Sequence, residues 1–202
     1  MRSHSFHHRG SLLGHVVGWL GTFTLIAGLF VWGLPTGPTA AFAATTPPCA
    51  TSNLVIWLNT VGSGAAGSSY YNLNFTNLSA HSCTLKGYPS VSGVSLANHQ
   101  VGSSAARDNA VAPAVITLTS ARTARGLESA STRNTATVIL QITDVANYSP
   151  SMCSQISAAG LRVSPPGQTA SKVIAFPFAA CAKGGPRYLH VEAVQKDVVL
   201  NK

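Results

Sequence analysis

The chain has 202 residues, of which 46% are hydrophobic and only 9% charged, and its mean hydropathy is +0.23. That balance excludes a charge-rich disordered polymer. With five acidic residues in all and no glycine at every third position, coiled-coil and collagen architectures are excluded as well. Its length suits one ordinary folded domain.

Arg2 and Arg9, accompanied by His4, His7 and His8, precede an apolar run over residues 11–34 and a small-residue segment ending Ala41-Phe42-Ala43. A basic start, an apolar stretch and an A-x-A site together read as a secretory signal cut after Ala43. The same run is long enough to serve, uncleaved, as a membrane-anchoring leader helix. Positive charge on its N-terminal flank places the rest of the chain outside the cytoplasm in either case. Residues 1–43 are therefore expected to be a signal peptide or anchor, 44–48 a short Thr/Pro linker and 49–202 a single domain. Thr46-Pro47-Pro48 before Cys49 is not the small-residue box that lipid attachment needs.

All four cysteines, Cys49, Cys83, Cys153 and Cys181, follow the leader, so two disulfides formed outside the cytoplasm are expected. Three connectivities are open; Cys49–Cys83 with Cys153–Cys181 is favoured because it staples each end of the domain to its own neighbouring strands. No C-x-x-C occurs and the histidines are not at ligand spacing, which argues against a metal. After residue 43 eleven Lys and Arg stand against five Asp and Glu, a net charge near +6. These cations are scattered rather than clustered, so nucleic-acid binding is not expected; general attraction to anionic envelope surfaces is.

From residue 54 onward, strand-like runs alternate with turn residues, an all-β rhythm. Leu54, Ile56 and Leu58 alternate with Val55, Trp57 and Asn59, which predicts a strand covered in part on both faces, with Trp57 in the core. Residues 62–68 read as a flexible Gly/Ser loop. Over residues 70–78, Tyr71, Leu73 and Phe75 share one face, and a turn then leads to Cys83. Further strands are expected over 91–96, 114–118, 123–128, 137–143, 161–164, 172–176 and 188–194, with Pro89 marking an edge or bulge. Residues 151–159 read as a short helix. Eight or nine strands with such close turns predict a disulfide-stapled antiparallel β-sandwich, immunoglobulin-like.

Chemistry-bearing groups are sparse. His81 and His99 fall in predicted turns, and His190 alternates with Leu189 and Val191, which points it to solvent. Asp108, Glu128, Asp144, Glu192 and Asp197 are spread along the chain, and no G-x-S-x-G elbow or phosphate loop is present. No catalytic residue, metal ligand or cofactor is assigned. Exposed tyrosines suit a binding face, and Tyr70, Tyr88, Tyr148 and Tyr188 are the candidates, the first three retained as ligand contacts. Asn74, Asn77 and Asn147 each begin a glycosylation sequon.

The stretch Gly67-Ser68-Ser69-Tyr70-Tyr71-Asn72-Leu73-Asn74-Phe75-Thr76-Asn77-Leu78-Ser79, then Cys83-Thr84-Leu85-Lys86-Gly87-Tyr88-Pro89-Ser90-Val91, resembles the exported actinobacterial family called domain of unknown function 4232. The likeness continues in Cys153, in Ala159-Gly160-Leu161-Arg162-Val163-Ser164-Pro165-Pro166-Gly167 and in Cys181, covering most of residues 49–194. It implies a secreted or envelope-attached β domain with no established activity, substrate or catalytic residue. Where the family usually has a Pro-Gly turn after Thr117-Leu118, this chain has Thr119-Ser120-Ala121-Arg122.

The leading expectation is a non-enzymatic extracytoplasmic β-sandwich that binds an envelope protein or polymer and meets the membrane only through its leader. A cell-wall-polymer hydrolase using an Asp or Glu and a His is the second reading. A structural surface protein without a ligand is the third.

Overall fold

The computed structural model describes residues 45–121, 133–182, 185–196, 198 and 200. The leader at 1–43, its cleavage site at Ala43, the anchor at 11–34 and the strand expected over 123–128 lie outside the described residues.

Eleven strands are present among the described residues: β1 (Leu54–Ala65), β2 (Ser68–Asn77), β3 (Cys83–Lys86), β4 (Ser90–Val94), β5 (Gln100–Val101), β6 (Ala106–Arg107), β7 (Val115–Leu118), β8 (Thr135–Thr143), β9 (Gln155–Ser164), β10 (Lys172–Cys181) and β11 (Leu189–Val191). Single 3-10 turns stand at Thr51–Asn53 and Val145–Asn147. A five-stranded sheet runs β1-β2-β8-β11-β6, a four-stranded sheet β10-β9-β4-β5, and β3 pairs with β7. All pairings between these strands are antiparallel except that of β11 with β6.

The period of two in the sequence becomes the inner face. Leu73 and Phe75 of β2 and Val138 and Leu140 of β8 are fully buried, and they share one core with Leu161 and Val163 of β9 and Val91 of β4. Each such side chain stabilises by about 1.5–3 kcal/mol on leaving water. The two larger sheets thus close over a common apolar layer, the β-sandwich that the alternation predicts.

Three local expectations need correction. Most of residues 62–68 is strand: β1 and β2 run on to Ala65 and Ser68, and Ala66 and Gly67, with φ of 48° and 73°, make the two-residue turn. Positive φ at both turn residues matches the strands' right-handed twist, and glycine adopts it without a Cβ penalty. Residues 155–159, read as part of a helix, belong to β9, paired to β10 from Gln155 onward. Trp57 is not in the core: 44% of it is exposed, and its Nε1 donates to Thr76 Oγ1 at 3.1 Å. Leu54, Ile56 and Leu58 take the inner face of β1, which leaves Val55 and Trp57 on the outer face of the five-stranded sheet.

Cys49 is joined to Cys83, and Cys153 to Cys181. The first bond holds the N-terminal segment on β3, where Cys49 N donates to Thr84 O and Thr84 N to Pro47 O. Pro47 and Pro48, within the stretch read as a linker, are thereby part of the paired structure. The second bond ties the entry of β9 to the end of β10. Pro89 lies between β3 and β4; the proline inside a strand is Pro177, in a bulge of edge strand β10.

Two outcomes test this packing. Cys83→Ser should lower the unfolding free energy by roughly 2–5 kcal/mol in chemical denaturation, the loss typical of a native disulfide in a small exported domain. Gly160→Ala should cost about 1–3 kcal/mol, because a Cβ there would stand 2.3 Å from Ile174 O of β10. An unchanged midpoint for either variant would contradict the described packing.

Candidate functional site

An open cleft of about 510 Å³ lies between the β1–β2 turn, the end of β8 and β10. Its apolar wall is Tyr71 from β2 with Phe176 and Phe178 from β10, all on inward-facing positions and all partly buried. Tyr71 and Phe176 meet edge to face at 5.1 Å between ring centroids, and Phe178 follows Phe176 at 6.0 Å. Ser69, Asp144 and the backbone of the turn complete the lining; Ser68 and Thr143 also border it, but their side chains stand on Tyr70's face of the sheet, where Ser68 Oγ donates to Thr143 Oγ1 at 3.4 Å.

The rim is fixed by short-range bonds. Asp144 accepts from Ala146 N at 3.0 Å and so caps the 3-10 turn, while its own N–H donates to Gly67 O at 2.8 Å. Asn147 Nδ2 also donates to Gly67 O, at 3.1 Å. Gln141 Nε2 donates to Ser68 Oγ at 3.0 Å. The hairpin tip is therefore held against the β8–β9 connection, and the cleft is a preformed feature of the fold. Chemically it offers aromatic ring surface, hydroxyls and one carboxylate.

The tyrosines favoured from sequence are not brought together. Tyr70 lies on the outer face of the five-stranded sheet. The Tyr88 hydroxyl donates to Asn109 Oδ1 at 2.9 Å, and the Arg107 guanidinium lies 5.4 Å from the centre of its ring. Tyr148 packs against the core. Tyr188 is corrected outright: it is fully buried, 6.3 Å from the Phe178 ring, and its hydroxyl donates to Val101 O at 3.1 Å. The cleft tyrosine is Tyr71, on the opposite face of β2 from Tyr70. Of the sequon asparagines, Asn74 and Asn77 are buried and bonded, and Asn147 is bonded to Gly67.

His81 and His99 are exposed in turns. His190 is half-buried, with Nε2 2.9 Å from Arg187 O. Asp108 and Glu192 are far apart in the sequence, and pairing of β11 with β6 sets both beside His190 and Tyr70 around one shallow hollow of about 10 Å³. Asp108 Oδ1 accepts from Ala110 N, and Glu192 Oε2 accepts from Gln195 Nε2 at 2.7 Å. A space of that size holds about one water molecule. Among the described residues no group of three or more His, Cys, Asp or Glu is placed to hold a metal ion.

The chain belongs to the family described as Domain of unknown function (DUF4232), which matches residues 49–195. No curated protein and no solved structure matches it. The two disulfides are those of a chain that folds in an oxidising compartment.

Burial raises the Tyr188 hydroxyl from 10.0 to about 12. Between these values the unfolded chain has lost this proton and the folded chain keeps it, so this residue's contribution to stability falls as pH rises from 10 toward 12. Ultraviolet titration of the folded protein should show one of its five tyrosines ionising late. Tyr188→Phe should remove that late step; its persistence would place the buried hydroxyl elsewhere.

Proposed function

We propose that this member of the family is a non-enzymatic binding module that works outside the cytoplasm, secreted or held by its leader, and takes an envelope polymer into the cleft beside the β1–β2 turn. The observation that carries the reading is the cleft's mixed chemistry: the rings of Tyr71, Phe176 and Phe178 beside Ser69, Asp144 and the backbone of the β1–β2 turn. Partly exposed rings supply flat apolar surface for the C–H faces of sugar-like units, and the neighbouring hydroxyl, carboxylate and turn backbone suit their hydroxyls. Net positive charge after the leader adds long-range attraction to anionic polymers without setting specificity.

A hydrolase is the second reading, favoured by the meeting of Asp108, Glu192, His190 and Tyr70 on the outer sheet face. Binding ranks above it because that hollow, of about 10 Å³, has no room for a sugar ring.

Sedimentation with purified insoluble cell wall at about 0.5 M salt, where the Debye length is only a few ångströms, tests the proposal. The protein should stay with the wall, and Tyr71→Leu and Phe176→Leu should each weaken retention at least about tenfold while the disulfides and thermal midpoint persist. Retention that vanishes with salt, or that ignores both substitutions, overturns it. Release of soluble fragments from the wall, abolished by Glu192→Gln, would establish the hydrolase instead.

A further inference from the structure

An edge strand presents a row of unpaired backbone N–H and C=O groups, and proteins blunt such rows by shortness, charge, proline or bulges. Three of the four edges of the two larger sheets carry such a device. β5 and β6 are two residues each, and β10 has Lys172 at its start and Pro177 in its bulge. The fourth edge, β1, is twelve residues long, reads LVIWLNTVGSGA and contains no charged residue and no proline. Its single irregularity lies beyond Asn59, so residues 54–59 form a regular edge in unbroken register with β2. Val55 and Trp57 stand outward on it, 40% and 44% exposed.

The start of that edge is chemically distinct. A hollow of about 190 Å³ is lined by Leu54, Val55, Leu78 and Lys172 among others. Leu78, 57% exposed, extends the apolar surface of Val55. Lys172 Nζ donates to Leu54 O, and no carboxylate among the described residues pairs with it. An ammonium group with donors to spare therefore caps the edge at Leu54 O, and the open, uncharged part of the edge runs on from there.

We propose that the β1 edge over residues 54–59 is a docking strand for an extended segment of a partner protein, which adds to the sheet and places an Asp or Glu at Lys172. Main-chain bonds to the edge would supply affinity, and alternate apolar side chains against Val55 and Trp57 would supply register. Charge chooses the occupant: a second copy would bring another body of net charge near +6 and no acidic residue on its own β1 to meet Lys172. The site is separate from the cleft, and neither reading depends on the other.

Panning a random twelve-residue peptide library on the oxidised full-length chain, held in mild detergent, tests this. Enriched peptides should alternate β-branched or aromatic residues and carry an acid near one end. By fluorescence anisotropy, Trp57→Lys should weaken the best peptide at least tenfold and Lys172→Gln about threefold to tenfold. Phe176→Leu in the cleft should leave its affinity unchanged, and thermal midpoints identify any variant that has merely lost its fold. In such a case Val55→Lys replaces it as the edge charge. Failure to enrich any peptide sensitive to the edge substitutions overturns the proposal. So does a concentration-dependent dimer that Trp57→Lys dissolves, which would make the occupant a second copy.

Discussion

Pairing of β8 on both of its sides is the constraint from which the rest of the molecule follows. Residues 135–143 are matched one to one with residues 68–76 of β2, while Leu140–Ile142 meet β11 and Thr137 meets Gln195. Ala136, Val138 and Leu140 are completely buried on its inner face. Because side chains alternate with a period of two, a slip of one residue against β2 would turn the inward set of one strand to solvent. Tyr71 stands opposite Leu140 and Tyr70 opposite Gln141. Register on β8 thus decides which of two adjacent tyrosines enters the cleft and which faces outward.

Much of the architecture was legible because β2 and β8 carry clean alternation, and cysteines bracketing neighbouring strands pointed to their short-range pairing. The errors have local causes. Ser, Ala and Gly dominate residues 62–68 and 155–160, and such composition is weakly committed to strand on its own. These segments are strands because of partners far along the chain: β2 for the first, and for the second β10, whose backbone lies so close that only a glycine fits at residue 160. Trp57 was misread because an apolar run looks alike in a buried strand and at a sheet's edge.

The cleft itself was not legible. Its rings come from residues 71, 176 and 178, and its polar lining from residues 69 and 144 and the turn between β1 and β2. No spacing in the sequence connects them; the hairpin turn, the bulge around Pro177 and the capped turn at Val145–Asn147 do. The same holds for the outer-face group, where parallel pairing of β11 with β6 brings together carboxylates that lie 84 positions apart in the chain, at residues 108 and 192.

Both disulfides enclose hairpins. The loop closed between Cys49 and Cys83, 34 positions apart, contains β1 and β2, and that between Cys153 and Cys181, 28 apart, contains β9 and β10. A tensile load entering the domain ahead of Cys49 crosses directly to Cys83 through sulfur, and a load reaching Cys153 crosses likewise to Cys181. At roughly 3.3–3.6 Å per extended residue, about 200 Å of contour length is withheld from stretching. Under force the chain yields first in β3 to β8 and in the segment after Cys181, while the strands that build the cleft's aromatic wall and the open β1 edge remain covalently looped.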